Sequence, residues 1–325
     1  METKLDSLNI DEGLIILFDD VNSQVGYLMG LAEHVSGESI NFMTHVAKGL
    51  TYVCITKKQA MKLNLHLFEK EDNSNSKSFT ESVDYMTNST GISAFERSDT
   101  IKAFTRLEAK PDDFKRPGHL FPLVSKDTNM LERIGIAEVA VFLAKHNHKT
   151  PVAYVSEILN DNGEIATKNE VIRLSQYYHL PILTFSEVAK FQYERTKWLT
   201  ILDYKCISNL ENILVYHVKN HFSNQLLKMY VRLGASENIN TIFYRECQFE
   251  LLNGDQCNCI RHFKDYYSLL KNKEIDVIVF EHEHDHHGYP DYEMMDGIIT
   301  AQINELIDEI NQKHKVDKKV VLSNY

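Results

Sequence analysis

Apolar residues fall along this chain in two rhythms, and the change from one to the other lays out the first part of the fold. Residues 13–18, GLIILF, and 51–55, TYVCI, are short apolar runs of strand length. Between them SINFMTHVAKG, residues 39–49, carries its apolar positions at helical spacing, so the order is β, α, β. The polar run DNSNSKS, residues 72–78, has turn chemistry and reads as a mobile loop, with the strand-like FTESVDY after it. Further on, AEVAVFLAKHN predicts helix, VAYVSEI (152–158) strand and TKNEVIRLSQYYH helix, the last opened by a capping-box pair, Thr167 and Glu170. Thr184 and Glu187 repeat that signal before EVAKFQYER.

After Lys205 the segments shorten: strand-like ENILVYHV, KMYVRL and NTIFYRE, a cysteine-rich loop, a helix near 262–271, the strand IDVIVF and a terminal helix around 298–313. The expected fold class is α/β (α+β), a mixed sheet with flanking helices over residues 1–205 and a smaller α/β domain over 206–325. No internal repeat interrupts this plan.

Composition narrows the function. A chain of 325 residues with 43% hydrophobic content can bury a substantial core. Lys plus Arg number 35 against 46 Asp plus Glu, and the net charge of −11 repels nucleic acid and anionic membranes at long range. Neither is expected as a partner, and any phosphate must be held by a local pocket. METKLDSLNIDEG lacks the basic-then-apolar layout of a secretory signal, and the apolar run over 137–144 is too short to cross a bilayer, so a cytoplasmic location is expected. Five cysteines argue against a disulfide framework, but Cys247, Cys257 and Cys259 lie close together.

Several residues are suited to chemistry. RPGHLFPL, residues 116–123, places two of the chain's six prolines and a glycine around His119, which predicts a constrained, irregular loop. Such a loop either pre-organises a catalytic imidazole or uses the ring to pin itself to a carbonyl. The stretch from Asn88 to Ala94, NSTGISA, offers hydroxyls and backbone N–H groups around a glycine, fit for a phosphate and equally for a plain turn.

The blocks FTESVDYMTNSTGISAFERSDTI, FKRPGHLFPL, MLERIGIAEVAVFLA and VAYVSEILNDNGEIA, in this order and spacing, resemble those of 3,4-dihydroxy-2-butanone 4-phosphate synthase of riboflavin biosynthesis. The resemblance implies a homodimer with sites at the subunit interface, a magnesium cofactor, and conversion of ribulose 5-phosphate to formate and dihydroxybutanone phosphate. Carried over by position, it makes His119, Glu157 and Cys54 catalytic and Thr90, Ser89, Arg133 and Arg116 substrate-binding, with Arg133 on the phosphate.

This chain departs from the family where the metal should bind. The acidic run that opens the family's site is here FDDVNSQVGYL, with Ser23 at the metal-binding glutamate and Tyr27 at a catalytic aspartate. The family's second metal ligand, a histidine, is here Ile136, and the next threonine is Ala137. Magnesium takes oxygen ligands and usually carboxylates, so the family site is expected to be absent. Asp19 or Asp20 substitutes only if the loop is re-registered.

The second domain resembles a reduced GTP cyclohydrolase II. That family's zinc motif corresponds to Cys247, nine residues, then Cys257 and Cys259, one residue short. Three thiolates with an open position would make a catalytic zinc site, and free loop cysteines are the alternative. No arginine stands among residues 281–289, EHEHDHHGY, where the triphosphate-binding block should be, so GTP hydrolysis is expected to be lost. His282, His284 and His286 would share one side of an extended strand as metal ligands or sit in a solvated loop. The leading expectation is a diverged lyase or isomerase acting on a sugar phosphate, ahead of a non-catalytic paralogue and of an unaltered synthase.

Overall fold

The computed structural model describes residues 5, 10, 13–68, 77–126, 130–131, 133–206, 212–233, 240–246, 259–282 and 292–322. The chain divides into two compact units, Met1–Gln192 and Tyr193–Tyr325.

The first unit is built on β1 (Ile15–Phe18), β2 (Gly26–Leu31), β3 (Lys48–Thr56), β4 (Val83–Tyr85), β5 (Phe114–Ser125), β6 (Ala153–Ile158) and β7 (Ile182–Thr184). They form one mixed sheet in the order β4-β5-β3-β6-β2-β1-β7. β3 and β5 run parallel, as do β1 and β7, and the other neighbours are antiparallel. Both faces are covered, which is why β1 and β2 are buried at every position and read as continuous apolar runs.

Alternation along β3 sorts side chains between the two faces. Val53 and Ile55 pack with Ile16, Phe18 and Leu28 and with Ile40 and Met43 of α1 (Gly37–Ala47). Tyr52 and Cys54 point the other way. On that side lies α4 (Ile136–His146), whose Val139, Ala140 and Leu143 are fully buried. The remaining helices of the unit are α2 (Lys57–Lys62), α3 (Ala94–Ala103), α5 (Lys168–Tyr178) and α6 (Phe185–Arg195). The capping box at Thr167 and Glu170 is present at the start of α5, and Thr184 and Glu187 exchange the same two bonds before α6.

Two segments differ from the sequence expectation. RPGHLFPL is not an irregular loop. It lies inside the twelve-residue strand β5, with Thr80 donating its N–H to the Pro122 carbonyl beside it. Proline is tolerated there because β4 is short and pairs only with Phe114, Lys115 and Leu120, leaving the ladder open at Pro117. FTESVDY contributes only three strand residues, its earlier part making isolated bridges.

The second unit is a five-stranded sheet, β11 (Thr241–Glu246), β12 (Val277–His282), β10 (Gln225–Arg232), β9 (Ile213–Asn220) and β8 (Leu199–Cys206), in that order, with α7 (Cys259–Lys271) and α8 (Tyr292–Leu322). β8 begins before residue 206 and pairs with β9, so it belongs to this unit. Its apolar pattern is weak because it is an edge strand with only Leu199 buried. Cys247, Cys257, His284 and His286 lie outside the described residues. Among the described residues no helix is long and apolar enough to cross a membrane.

Gly118 sits where β4 and β5 leave no room for a side chain: a Cβ there would lie 2.1 Å from the Val83 carbonyl carbon. Gly118→Ala is therefore expected to cost about 1–3 kcal/mol through forced backbone movement, read as a lower urea midpoint at unchanged m-value.

Candidate functional site

A pocket of about 160 Å³ opens on the α4 face of the first unit. Asp19, Ser23, Tyr27, Lys77, Arg133 and Ile136 line it, with Glu138. The β2–β6 register sets Tyr27 opposite Glu157. Lys77 reaches over both strands, its Nζ 2.5 Å from Glu157 Oε1 and 5.5 Å from the ring centroids of Tyr27 and Tyr52.

Burial, then the Glu157 charge, pushes the Tyr27 phenol well above its ordinary value, against an opposing contact with Ser23. It therefore stays protonated, a donor and not a base. Tyr52 is shifted the same way, by burial first and then by Cys54 and Glu157. Its buried hydroxyl lies beside Glu157, whose carboxylate contributes to that shift.

The carboxylates that line the pocket are already occupied. Asp19 accepts from the backbone N–H groups of Val21, Asn22 and Ser23 at 3.1, 2.8 and 3.2 Å and from Ser23 Oγ at 2.6 Å. It caps its own turn. Asp20 turns instead to Ser186, accepting from its N–H at 3.0 Å and from its hydroxyl. Glu138 takes Arg133 bidentately, Nη2 at 2.7 Å and Nε at 3.1 Å, and accepts the Lys126 N–H at 2.8 Å. This pair is nearly dry, with side-chain exposures of 10% for Arg133 and 2% for Glu138.

Of the residues expected from sequence, Arg133 lines the pocket and Glu157 stands behind its Lys77 wall. Cys54 lies beneath them, near the charges of Glu138, Lys77 and Arg133, and is 0% exposed. Burial pushes its thiol up, so it is held protonated beneath the pocket. Arg116, expected to bind substrate, donates from Nη2 to the Leu63 carbonyl at 2.6 Å, and its Nε faces Glu81 at 3.7 Å. It holds α2 to β5 and does not line the pocket.

His119 forms a second cluster. Asp84 accepts the His119 N–H at 3.0 Å on one oxygen and approaches Nδ1 at 2.7 Å with the other. A carboxylate only accepts, so Nδ1 is the donor and Nε2 is left as the basic nitrogen. The ring is held and remains 44% exposed. Gly91 makes room for this carboxylate: its φ is +75°, and a Cβ would meet Asp84 Oδ2 at 2.1 Å. Leu123, which lines the pocket, is four strand residues from His119, roughly 13 Å along β5 at the usual rise.

The Ser89 and Thr90 loop closes on a residue that the sequence reading did not single out. Glu96 accepts from Ser89 N–H and Oγ at 2.6 and 2.8 Å, from Thr90 Oγ1 at 2.8 Å and from Gly91 N–H at 3.1 Å. Those bonds, the hydroxyls of Ser89 and Thr90 first, bring its carboxyl from 4.5 down to about 2. Asp84 and Lys77 were missed as well. A polar residue at an inward strand position was a signal for Asp84, whereas Lys77 closed a polar run and gave none.

The 3,4-dihydroxy-2-butanone 4-phosphate synthase family model matches residues 5–191, more than half of the chain. The chain belongs to this family. A synthase of that name from Oceanobacillus iheyensis is 42% identical over 181 residues, 55% of this chain and 87% of the relative. The riboflavin biosynthesis protein RibBA of Bacillus subtilis is 35% identical over 197 residues, 60% of this chain and 50% of RibBA. The chain thus matches about half the length of RibBA. A solved two-domain synthase from A. baumannii, RibBX, shares the fold with a TM-score of 0.69 at 23% identity, covering 92% of this chain and 88% of that one.

Two outcomes follow from the site. The Glu96 carboxylate stabilises its loop fully above pH 4.5, and the effect is lost as pH falls towards about 2. Protection of the Ser89 and Gly91 amides, measured against intrinsic exchange at each pH, is expected to fall over that window in the parent and to be lost at all pH values in Glu96→Ala. Iodoacetamide at pH 8 is expected to label exposed Cys206 and leave Cys54 unmodified, as read by peptide mass spectrometry.

Proposed function

We propose that this synthase-family chain binds a sugar phosphate in the α4-face pocket and acts on it as a lyase or isomerase without the family's magnesium site. The observation that carries this reading is the lining of the pocket. Ser23 and Ile136 supply one hydroxyl and a hydrocarbon, while Asp19 and Glu138 have both oxygens engaged by N–H and hydroxyl donors. Among the described residues no three His, Cys, Asp or Glu side chains are disposed to hold a metal ion. A hard divalent cation needs several free oxygens, and this donor set does not fit one.

In this reading Arg133, fixed by Glu138, meets the phosphate, and Glu157 takes a proton next to the substrate carbonyl. His119 of a second copy, oriented by Asp84 and with a proton on its Nε2, supplies the acid, in keeping with the interface site that the family resemblance implies. Tyr27 donates a hydrogen bond from its protonated phenol. The assembly would be a homodimer, as the family resemblance implies.

The second unit is proposed as a reduced GTP cyclohydrolase II-like domain without GTP hydrolysis, on the shortened cysteine spacing and the missing arginine block. Zinc on Cys247, Cys257 and Cys259 remains part of that proposal, tested by metal content in Cys247→Ser against the parent.

One observation favours a non-catalytic paralogue instead. Glu96 fills the hydroxyl loop of Ser89 and Thr90 with the chain's own carboxylate. Incubation with ribulose 5-phosphate and related pentose and tetrose phosphates, with EDTA or with Mg²⁺, separates the readings. Turnover in EDTA that falls ~10²-fold or more in His119→Ala is the expected result. Binding without turnover assigns the paralogue, and formate release that requires Mg²⁺ restores the unaltered synthase.

A further inference from the structure

We propose that the ammonium of Lys77 is the resident cation of the α4-face pocket, doing by charge and hydrogen bonding what a bound divalent ion would otherwise do for an oxyanion ligand. The inference deepens the sugar-phosphate reading and rests on the same pocket. Lys77 shares that pocket with Ser23, Ile136 and Arg133. A metal ion there would meet a fixed positive charge from Lys77 and a second from Arg133, beside carboxylates already saturated with donors.

The placement of Lys77 is specific. Glu157 anchors it at 2.5 Å, and the faces of Tyr27 and Tyr52, both at 5.5 Å, flank it within cation–π range. An ammonium has three donors, and Glu157 takes one. The aromatic faces attract the charge but supply no lone pair. The side chain is 42% exposed, so the remaining N–H groups are open to a ligand entering the pocket. The buried Tyr52 hydroxyl beside the pair adds a polar group at the same point.

An ammonium in this position favours charge that develops on a ligand oxygen, as preorganised donors do. Unlike a metal ion it imposes no octahedral geometry and cannot be removed by a chelator. The chemistry selects small oxyanions with neighbouring oxygens, the phosphate of a sugar phosphate or its enediolate.

The test uses the full chain in EDTA. Inorganic phosphate and ribulose 5-phosphate are titrated calorimetrically into the parent, Lys77→Met, Lys77→Gln and Lys77→Arg, with circular dichroism confirming each fold, and Mn²⁺ uptake is followed by EPR after exchange into EDTA-free buffer. Loss of one charge-assisted contact is expected to weaken binding ~10- to 100-fold in the Met and Gln variants, with partial recovery in Lys77→Arg. The parent is expected to take up no stoichiometric Mn²⁺ with or without ribulose 5-phosphate. Unchanged affinity in both neutral variants, no binding of either anion to the parent, or stoichiometric Mn²⁺ tightened by ribulose 5-phosphate would each overturn the proposal. Lys77-dependent binding of inorganic phosphate without binding of ribulose 5-phosphate would support Lys77 and reject the sugar-phosphate reading.

Discussion

The register between β2 and β6 is the constraint on which the pocket depends. It sets Tyr27 against Glu157 and, two residues along, Met29 against Val155. A strand repeats every two residues, so a slip by one would send Tyr27 and Glu157 to the α1 face, among Ile40 and Met43. The burial of both faces forbids that slip, because it would place a carboxylate in an apolar cluster and bring apolar side chains to the pocket wall. The hydrophobic core thus fixes the position of the chemistry.

Charge compensation is the second organising rule. Each acid at this face is met by its own donors: Glu138 by Arg133, Glu157 by Lys77, and Asp19 by the turn it closes. The Arg133–Glu138 pair is close to water-free and bidentate, so it acts as a rigid strut more than as a source of net stability. Lys77 and Glu157 are wetter, and their attraction is correspondingly screened. One pair is suited to hold shape and the other to exchange partners with a ligand.

The His119 cluster shows how a polar site is supported from the opposite edge of the sheet. Asp84 bonds both the backbone and the ring of His119, and the close approaches at Gly118 and Gly91 let the strands and the loop crowd around that carboxylate. The expected choice between an oriented imidazole and one that pins its own strand does not arise, since one carboxylate does both.

The elements were largely legible in the sequence. Apolar spacing marked α1, α4 and β6, and the Thr167 and Glu170 pair marked the start of α5, because burying one face and capping a helix are local demands on residue type. β2 and β8 went unmarked: one carries two glycines in six residues, and the other is an exposed edge with no apolar alternation. Family blocks marked Arg133, Glu157, His119 and Thr90, but their partners were decided only in three dimensions. Lys77 meets Glu157 across 80 residues and Asp84 meets His119 across 35. Hydrogen bonds and ion pairs depend on distances of a few ångströms set by strand order and register, and those distances carry no periodic trace along the chain.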